Sequence, residues 1–360
     1  TTVAAVAGGI VFEAPVLEDN HCGSRHLPGI DIEIEDLVDD LKIYGRGDVL
    51  TGDGGDDVLI GDSHTRVAAV AGQILVAGGS LEIEIEELVD DLTLRTLYCR
   101  ADELFGGDGA DVLIGDHRTT VAALAGNIEV ADGKFELDVE DLVDELEIEG
   151  GEDTLAGGGG DDVLIGDNQT RVLARAGMVV VDSGRAELEF DKLVKELEIE
   201  GDDDVIGGHD GDDLLIGDNR TRVSAQMSDI LVFDGTLEID IDGLVDELEI
   251  EGGDDTIDGG SGNDVLIGDH QTAVTAGLTT LYGADSHIDI EIDQLVDELE
   301  IEGEEDVING ADGHDLLIGD NCTLVTAFAG DIQVDGGYFE FEVDELVDDL
   351  EIEGDDDALD

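Results

Sequence analysis

Residues 157–167 read Gly-Gly-Gly-Gly-Asp-Asp-Val-Leu-Ile-Gly-Asp, and this stretch decides the fold. Small residues stand where the chain must turn tightly, Asp162 closes the turn, and the apolar triplet Val163, Leu164 and Ile165 leaves it as a short strand. Glycine adopts backbone angles that a side chain forbids, so carbonyl oxygens can converge on one point. Carbonyls and carboxylates together make a seat for a hard cation, and Ca²⁺ takes six to eight such oxygens.

The stretch recurs. Its first residue is Gly52, Gly106, Gly157, Gly208, Gly259 and Gly310, a step of 54 followed by steps of 51. The fourth position is Gly55, Gly109, Gly160, Gly211, Gly262 and Gly313, and the sixth is Asp57, Asp111, Asp162, Asp213, Asp264 and Asp315. An earlier column of Asp48, Asp102, Asp153, Asp204, Asp255, Asp306 and Asp357 leads its own strand-like runs, such as Thr154-Leu155-Ala156. A later column, Asp62, Asp116, Asp167, Asp218, Asp269 and Asp320, follows the apolar triplets.

The pattern G-G-x-G-x-D-x-U-x is that of calcium-binding β-helix nonapeptides. On these residues the chain resembles the RTX (repeats-in-toxin, haemolysin-type) calcium-binding family. The copies at 106, 157 and 259 match in full, whereas Asp53, His209 and Ala311 replace the second glycine in the others, which should loosen those turns. The likeness covers roughly 20 residues of each repeat. It implies Ca²⁺ bridging the Asp carboxylates of the two nonapeptides between neighbouring turns, with several ions per chain. All of the Asp and Gly columns above are candidate ligands.

The remainder of the repeat is strand-like. A Thr column (65, 119, 170, 221, 272, 323) precedes an alternating run, Val172, Ala174, Ala176, then Val179 and Val181. Alternation marks a strand with one buried face. The acidic piece that follows, for example Ile288-Asp289-Ile290-Glu291-Ile292, alternates strictly. Beyond it, Ile292, Leu295, Val296 and Leu299 sit at i, i+3, i+4 and i+7, which predicts one or two helical turns.

The expected fold is mainly β: a calcium-bound β-solenoid or β-roll-like array, with each repeat one wide coil or a few narrow ones. The alternative is a tandem string of small β-rich units, each with a short helical turn. Stacked Glu columns would repel if each repeat were one coil, so either the Glu faces bind more cations, or the solvent is salty, or equivalent columns lie farther apart as in the alternative, and the sequence does not decide between the two. The approximate units are 1–64, 65–118, 119–169, 170–220, 221–271, 272–322 and an incomplete 323–360, with an insertion near 15–28. Because the chain starts and stops mid-repeat, it reads as a window on a longer array.

A net charge of −81 excludes nucleic acid and anionic membranes as partners by sign. Calcium, self-association or neighbouring repeats of a longer chain remain. No run of 18 apolar residues would insert in a membrane, and Cys22, Cys99 and Cys322 stand at unrelated repeat positions, so they form no disulfide framework. His21, Cys22 and His26 make an incidental loop more readily than a metal site, and His209 and His314 read as turn substitutions. No carboxylate pair is singled out and no nucleophile has a base, so catalysis is not expected. The reading is a structural, calcium-dependent segment of a secreted or cell-surface protein. An export region of a secreted hydrolase or toxin, and an acidic mineral-binding matrix protein, are the alternatives.

Overall fold

The structure, a computed structural model, describes residues 1–8, 10–13, 29–34, 37–39, 41–96, 101–355 and 357–359. His21, Cys22, His26 and Cys99, and most of the insertion near 15–28, lie outside them.

One circuit of the chain runs through Thr154–Gly159, the glycine turn, Val163–Ile165, Gln169–Ala176, Val179–Asp182 and Arg185–Glu200. Each strand then pairs, in parallel, with its equivalent one repeat on. Thr154 faces Val205, Val163 faces Leu214, Thr170 faces Thr221 and Leu188 faces Ile239. Among the described residues every pairing is parallel and joins successive repeats. The molecule is therefore a β-solenoid with one wide coil per repeat and rungs about 4.8 Å apart.

This geometry rules out the string of compact units. A self-contained unit would satisfy its backbone internally, whereas here the ladder bonds leave the repeat. Among the described residues the helical turns are also absent: Val296–Glu302 is strand, and Arg185–Glu200 is one continuous strand through the same region. Phe190, Leu193, Val194 and Leu197 are all buried, with Leu193 and Val194 inward in succession. An extra inward residue, as in a β-bulge, shifts period-two alternation into spacing that mimics a helix face.

The cross-section has two lobes joined by a neck. In the narrow lobe Leu155 packs with Leu164, and their equivalents on every rung form one cluster. Ile165 and Val163 build a second cluster from the other face of the short strand. The wide lobe packs Val172, Ala174, Val179 and Val181 with Leu188, Phe190, Leu197 and Ile199. Small alanines on one side admit the larger residues of the other. Each fully buried Leu or Ile contributes about 1.5–3 kcal/mol before entropy is counted.

Two further features position the site. A turn at Asp132, Ser183, Asp234 and Asp285 holds those residues at φ of 49–56°, the left-handed region that Asp tolerates better than most residues. The Thr column points inward, with Thr65, Thr119, Thr170, Thr221 and Thr272 buried.

Candidate metal centre

The six glycine turns form the tip of the narrow lobe. Gly55, Gly109, Gly160, Gly211, Gly262 and Gly313 all have left-handed φ, from 116° to 157°. From Gly109 on, the preceding rung also packs against them: a Cβ on Gly109 would collide with the Gly55 carbonyl. The second turn position is left-handed too, including the three substituted residues Asp53 (71°), His209 (76°) and Ala311 (62°). Those turns are thus as tight as the glycine ones, because the stacked rungs impose the conformation.

The first glycines serve another purpose. A Cβ on Gly52 would lie 2.5 Å from the Gly106 carbonyl oxygen and 2.7 Å from Asp57 Oδ2. The space left by the missing side chain is thus bounded by a carboxylate oxygen and the carbonyl of the next rung. The same arrangement holds at Gly106, Gly157, Gly208 and Gly259, with Asp111, Asp162, Asp213 and Asp264. At Gly310 the Asp315 carboxylate again faces the glycine, with Oδ2 at 2.7 Å from the built Cβ.

One oxygen of each tip aspartate from Asp111 to Asp315 is engaged. The N–H of Asp111 donates to Asp162 Oδ1 at 2.7 Å, and that of Asp162 to Asp213 Oδ1 at 2.8 Å. The other oxygen, Oδ2 of Asp57, Asp111, Asp162, Asp213 and Asp264, is buried with no hydrogen-bond partner. Burial raises the carboxyl of Asp162 above its ordinary value and pushes Asp213 up to about 6, against the lowering effect of the N–H bonds.

The neck holds the other two Asp columns. Along one, the N–H of Asp102 donates to Asp153 Oδ1 at 2.6 Å and that of Asp204 to Asp255 Oδ1 at 2.8 Å. Oδ2 of Asp102, Asp153, Asp204, Asp255 and Asp306 is again buried and unpartnered. These oxygens crowd Gly61, Gly115, Gly166, Gly217 and Gly268, beside the carbonyl of the following rung's glycine. The second column is held from across the neck: Gly151 N–H donates to Asp116 Oδ2 at 2.7 Å and Asp167 Oδ1 at 3.1 Å, and Gly253 N–H to Asp218 Oδ1 at 2.9 Å. Asp62, Asp102 and Asp116 bring carboxylate oxygens within 4.8 Å of one another.

So the earlier and later Asp columns meet at the neck, and the turn column stands apart at the tip. The structure does not bring Asp153 to Asp162. The acidic neighbours felt by Asp153 are Asp167, Asp102 and Asp62, and those felt by Asp162 are Asp111 and Asp161. Bridging between the two nonapeptides' carboxylates, as the resemblance implied, is replaced by two separate lines of oxygens along the coil axis.

Burial dominates the neck electrostatics. It pushes Asp102 up to about 7, Asp153 to about 9 and Asp306 to about 8, with like-charged neighbours adding to the effect. Burial, with like-charged neighbours, also raises Asp116, Asp204, Asp218 and Asp255 well above the ordinary carboxylate range. Leaving buried carboxylate oxygens without a proton, donor or metal costs several kcal/mol each. Hard oxygens, high negative charge and glycine-lined space fit calcium.

Beside the neck runs a column that sequence reasoning passed over: Ser63, His117, Asn168, Asn219, His270 and Asn321. Asn168 N–H donates to Asn219 Oδ1, and the Asn219 side chain reaches the Glu251 carbonyl across the neck. His270 occupies the same role, Nδ1 accepting from Asn219 N–H at 3.4 Å while Nε2 meets the Glu302 carbonyl at 3.2 Å. Burial drives the His270 imidazole down to about 3, so it stays neutral and mimics asparagine.

Fold and site together define a calcium-binding parallel β-solenoid. The RTX calcium-binding nonapeptide repeat is found in it in four copies, at residues 45–64, 100–116, 149–173 and 251–270. These repeats bind Ca²⁺, and each copy overlaps the neck and tip residues described above. No curated protein and no solved structure matches the chain.

Proposed function

We propose that this chain is a calcium-held structural segment of a secreted or cell-surface protein, such as an adhesin stalk, a surface layer or an extracellular filament. One observation carries the reading: two continuous lines of buried, unpartnered carboxylate oxygens run the length of the coil stack. At the tip, Asp57, Asp111, Asp162, Asp213, Asp264 and Asp315 with the first-glycine carbonyls would hold the ion. At the neck, Asp62, Asp116, Asp167, Asp218, Asp269 and Asp320 would share it with Asp102, Asp153, Asp204, Asp255 and Asp306. The metal supplies positive charge that lets the carboxylates stay ionised inside the stack, so that binding and folding are one event.

The repetition supports architecture over catalysis. Among the described residues the rungs repeat the same tip and neck oxygens, and the one further carboxylate group is that of Glu87, Asp141 and Asp144. RTX repeats occur in secreted proteins, and free calcium is abundant outside cells. Far-ultraviolet circular dichroism tests the reading. The chain in chelator should be largely disordered, and millimolar Ca²⁺ should produce a β spectrum. A spectrum unchanged across the titration would overturn it.

A further inference from the structure

Five of the eleven arginines gather on one face of this strongly acidic chain. Register places His64, Arg118, Gln169, Arg220 and Gln271 in one column, and Arg66, Thr120, Arg171 and Arg222 in the column two residues on. Together they line a groove of about 910 Å³. Arg66, Arg171 and Arg222 are exposed, and Arg118 and Arg220 half-buried.

Among the described arginines and lysines they share the lack of a carboxylate partner with Arg46 and Arg175, but only they are gathered in one groove. Lys42, Arg95, Lys134, Arg185, Lys192 and Lys195 each sit against a carboxylate. Among the described residues none of the five groove arginines does, although the chain has 96 acidic residues. Arginines held together repel, and a guanidinium cannot discharge itself by losing a proton. This face is built to receive anions from outside the molecule.

A second surface supplies them at matching spacing. On the outward face of the strands that enter the neck, Glu147, Glu198, Glu249, Glu300 and Glu351 stack in register, flanked by Glu145, Glu196, Glu247 and Glu298. Burial and stacked neighbours raise the carboxyls of Glu145, Glu198 and Glu249. The ladder already accepts a guanidinium: Arg95 reaches across a rung to Glu147 and, at 2.8 Å, Glu149. Arginine columns and glutamate columns both advance one rung per step, about 4.8 Å. Two copies with parallel axes therefore stay in step along their whole contact.

We propose that the arginine groove docks the glutamate ladder of a second copy of this chain, side by side. The contact is heterologous, so each copy keeps one free groove or ladder and the array can extend. The proposal rests on the architectural reading above. It also requires calcium, which folds the coils and lowers the net charge that would hold two copies apart.

Sedimentation at about 50 mM salt with calcium tests this, since exposed charge pairs weaken as salt screens them. The wild type should associate, and the double variant Arg171→Glu/Arg222→Glu should lose at least tenfold in association. Glu198→Arg/Glu249→Arg should lose as much. Mixing the two variants should restore association, because one retains the groove and the other the ladder. Circular dichroism on the same samples reads calcium-driven folding separately, so loss of fold is told apart from loss of docking. A wild type that stays monomeric, or a groove variant that associates as well as wild type, would overturn the proposal. Monomeric wild type that binds dextran sulfate through these arginines would assign the groove to a soluble polyanion instead.

Discussion

At the scale of single residues, the buried aspartates do opposite things with and without metal. Asp204 Oδ1 takes the N–H of Asp153 at 2.6 Å, while its Oδ2 has no partner. Asn in its place keeps an oxygen for that N–H and removes a buried charge. Asp204→Asn should therefore make the chain more folded than wild type in chelator and less folded in saturating calcium. Thermal melts under both conditions check the crossing. The left-handed turn residues give a second case. Ala311 at φ 62° carries a side chain where glycine is unstrained, so Ala311→Gly should stabilise the calcium-loaded coil by about 1 kcal/mol. Gly160→Ala should cost more than that, because its Cβ would also strike the carbonyl of Gly109. Chemical denaturation of the two variants would rank them.

At the scale of the element, much was legible in the sequence. The glycine turns, the three Asp columns and the alternating strands stand where their residue types put them. Three features were not. Consecutive inward Leu193 and Val194 imitate helical spacing, and only the partner rung shows that they belong to a strand. The Asn/His column hid because its residue type changes from rung to rung, and only geometry shows imidazole standing in for carboxamide. The period of 51 was plain, yet a period alone does not say whether a repeat bonds within itself or to the next. The repulsion expected of stacked Glu columns left separate units open as the alternative, whereas the structure accepts those columns on the outward face of the coil. The ladder makes its own prediction. Asn219→Leu leaves the Asn168 N–H without its acceptor and takes from the Glu251 carbonyl the second of its two donors, the Gly201 N–H remaining, and should cost about 1–3 kcal/mol. His270→Asn should be nearly neutral. Denaturant midpoints in calcium would separate them.

At the scale of the whole molecule, acid and calcium act as substitutes. Carboxyls raised by burial make the metal-free fold most stable below the ordinary carboxylate range, near pH 4. That stability is lost as pH rises through about 7 for Asp102, Asp167 and Asp269 and about 9 for Asp153. In chelator, the β signal in circular dichroism should thus fall between pH 4.5 and 8.5. With calcium it should persist at the upper end, and apparent affinity should rise with pH as fewer protons compete. A chelated chain indifferent to pH would contradict the assignment of the neck as a buried acidic line.

The one-coil-per-repeat register also has a mechanical consequence. Every ladder bond joins a rung to its neighbour, so tension applied along the coil axis meets identical barriers in series. From the third repeat on, each coil peeled from the stack frees 51 residues, which lengthens the tether by about 170 Å. Pulled singly in an optical trap, the chain should yield in steps of that size, with longer ones from the first two repeats, and lose the staircase when calcium is washed away. Material of this design would dissipate shear by sacrificing coils one at a time and regain its length on slackening.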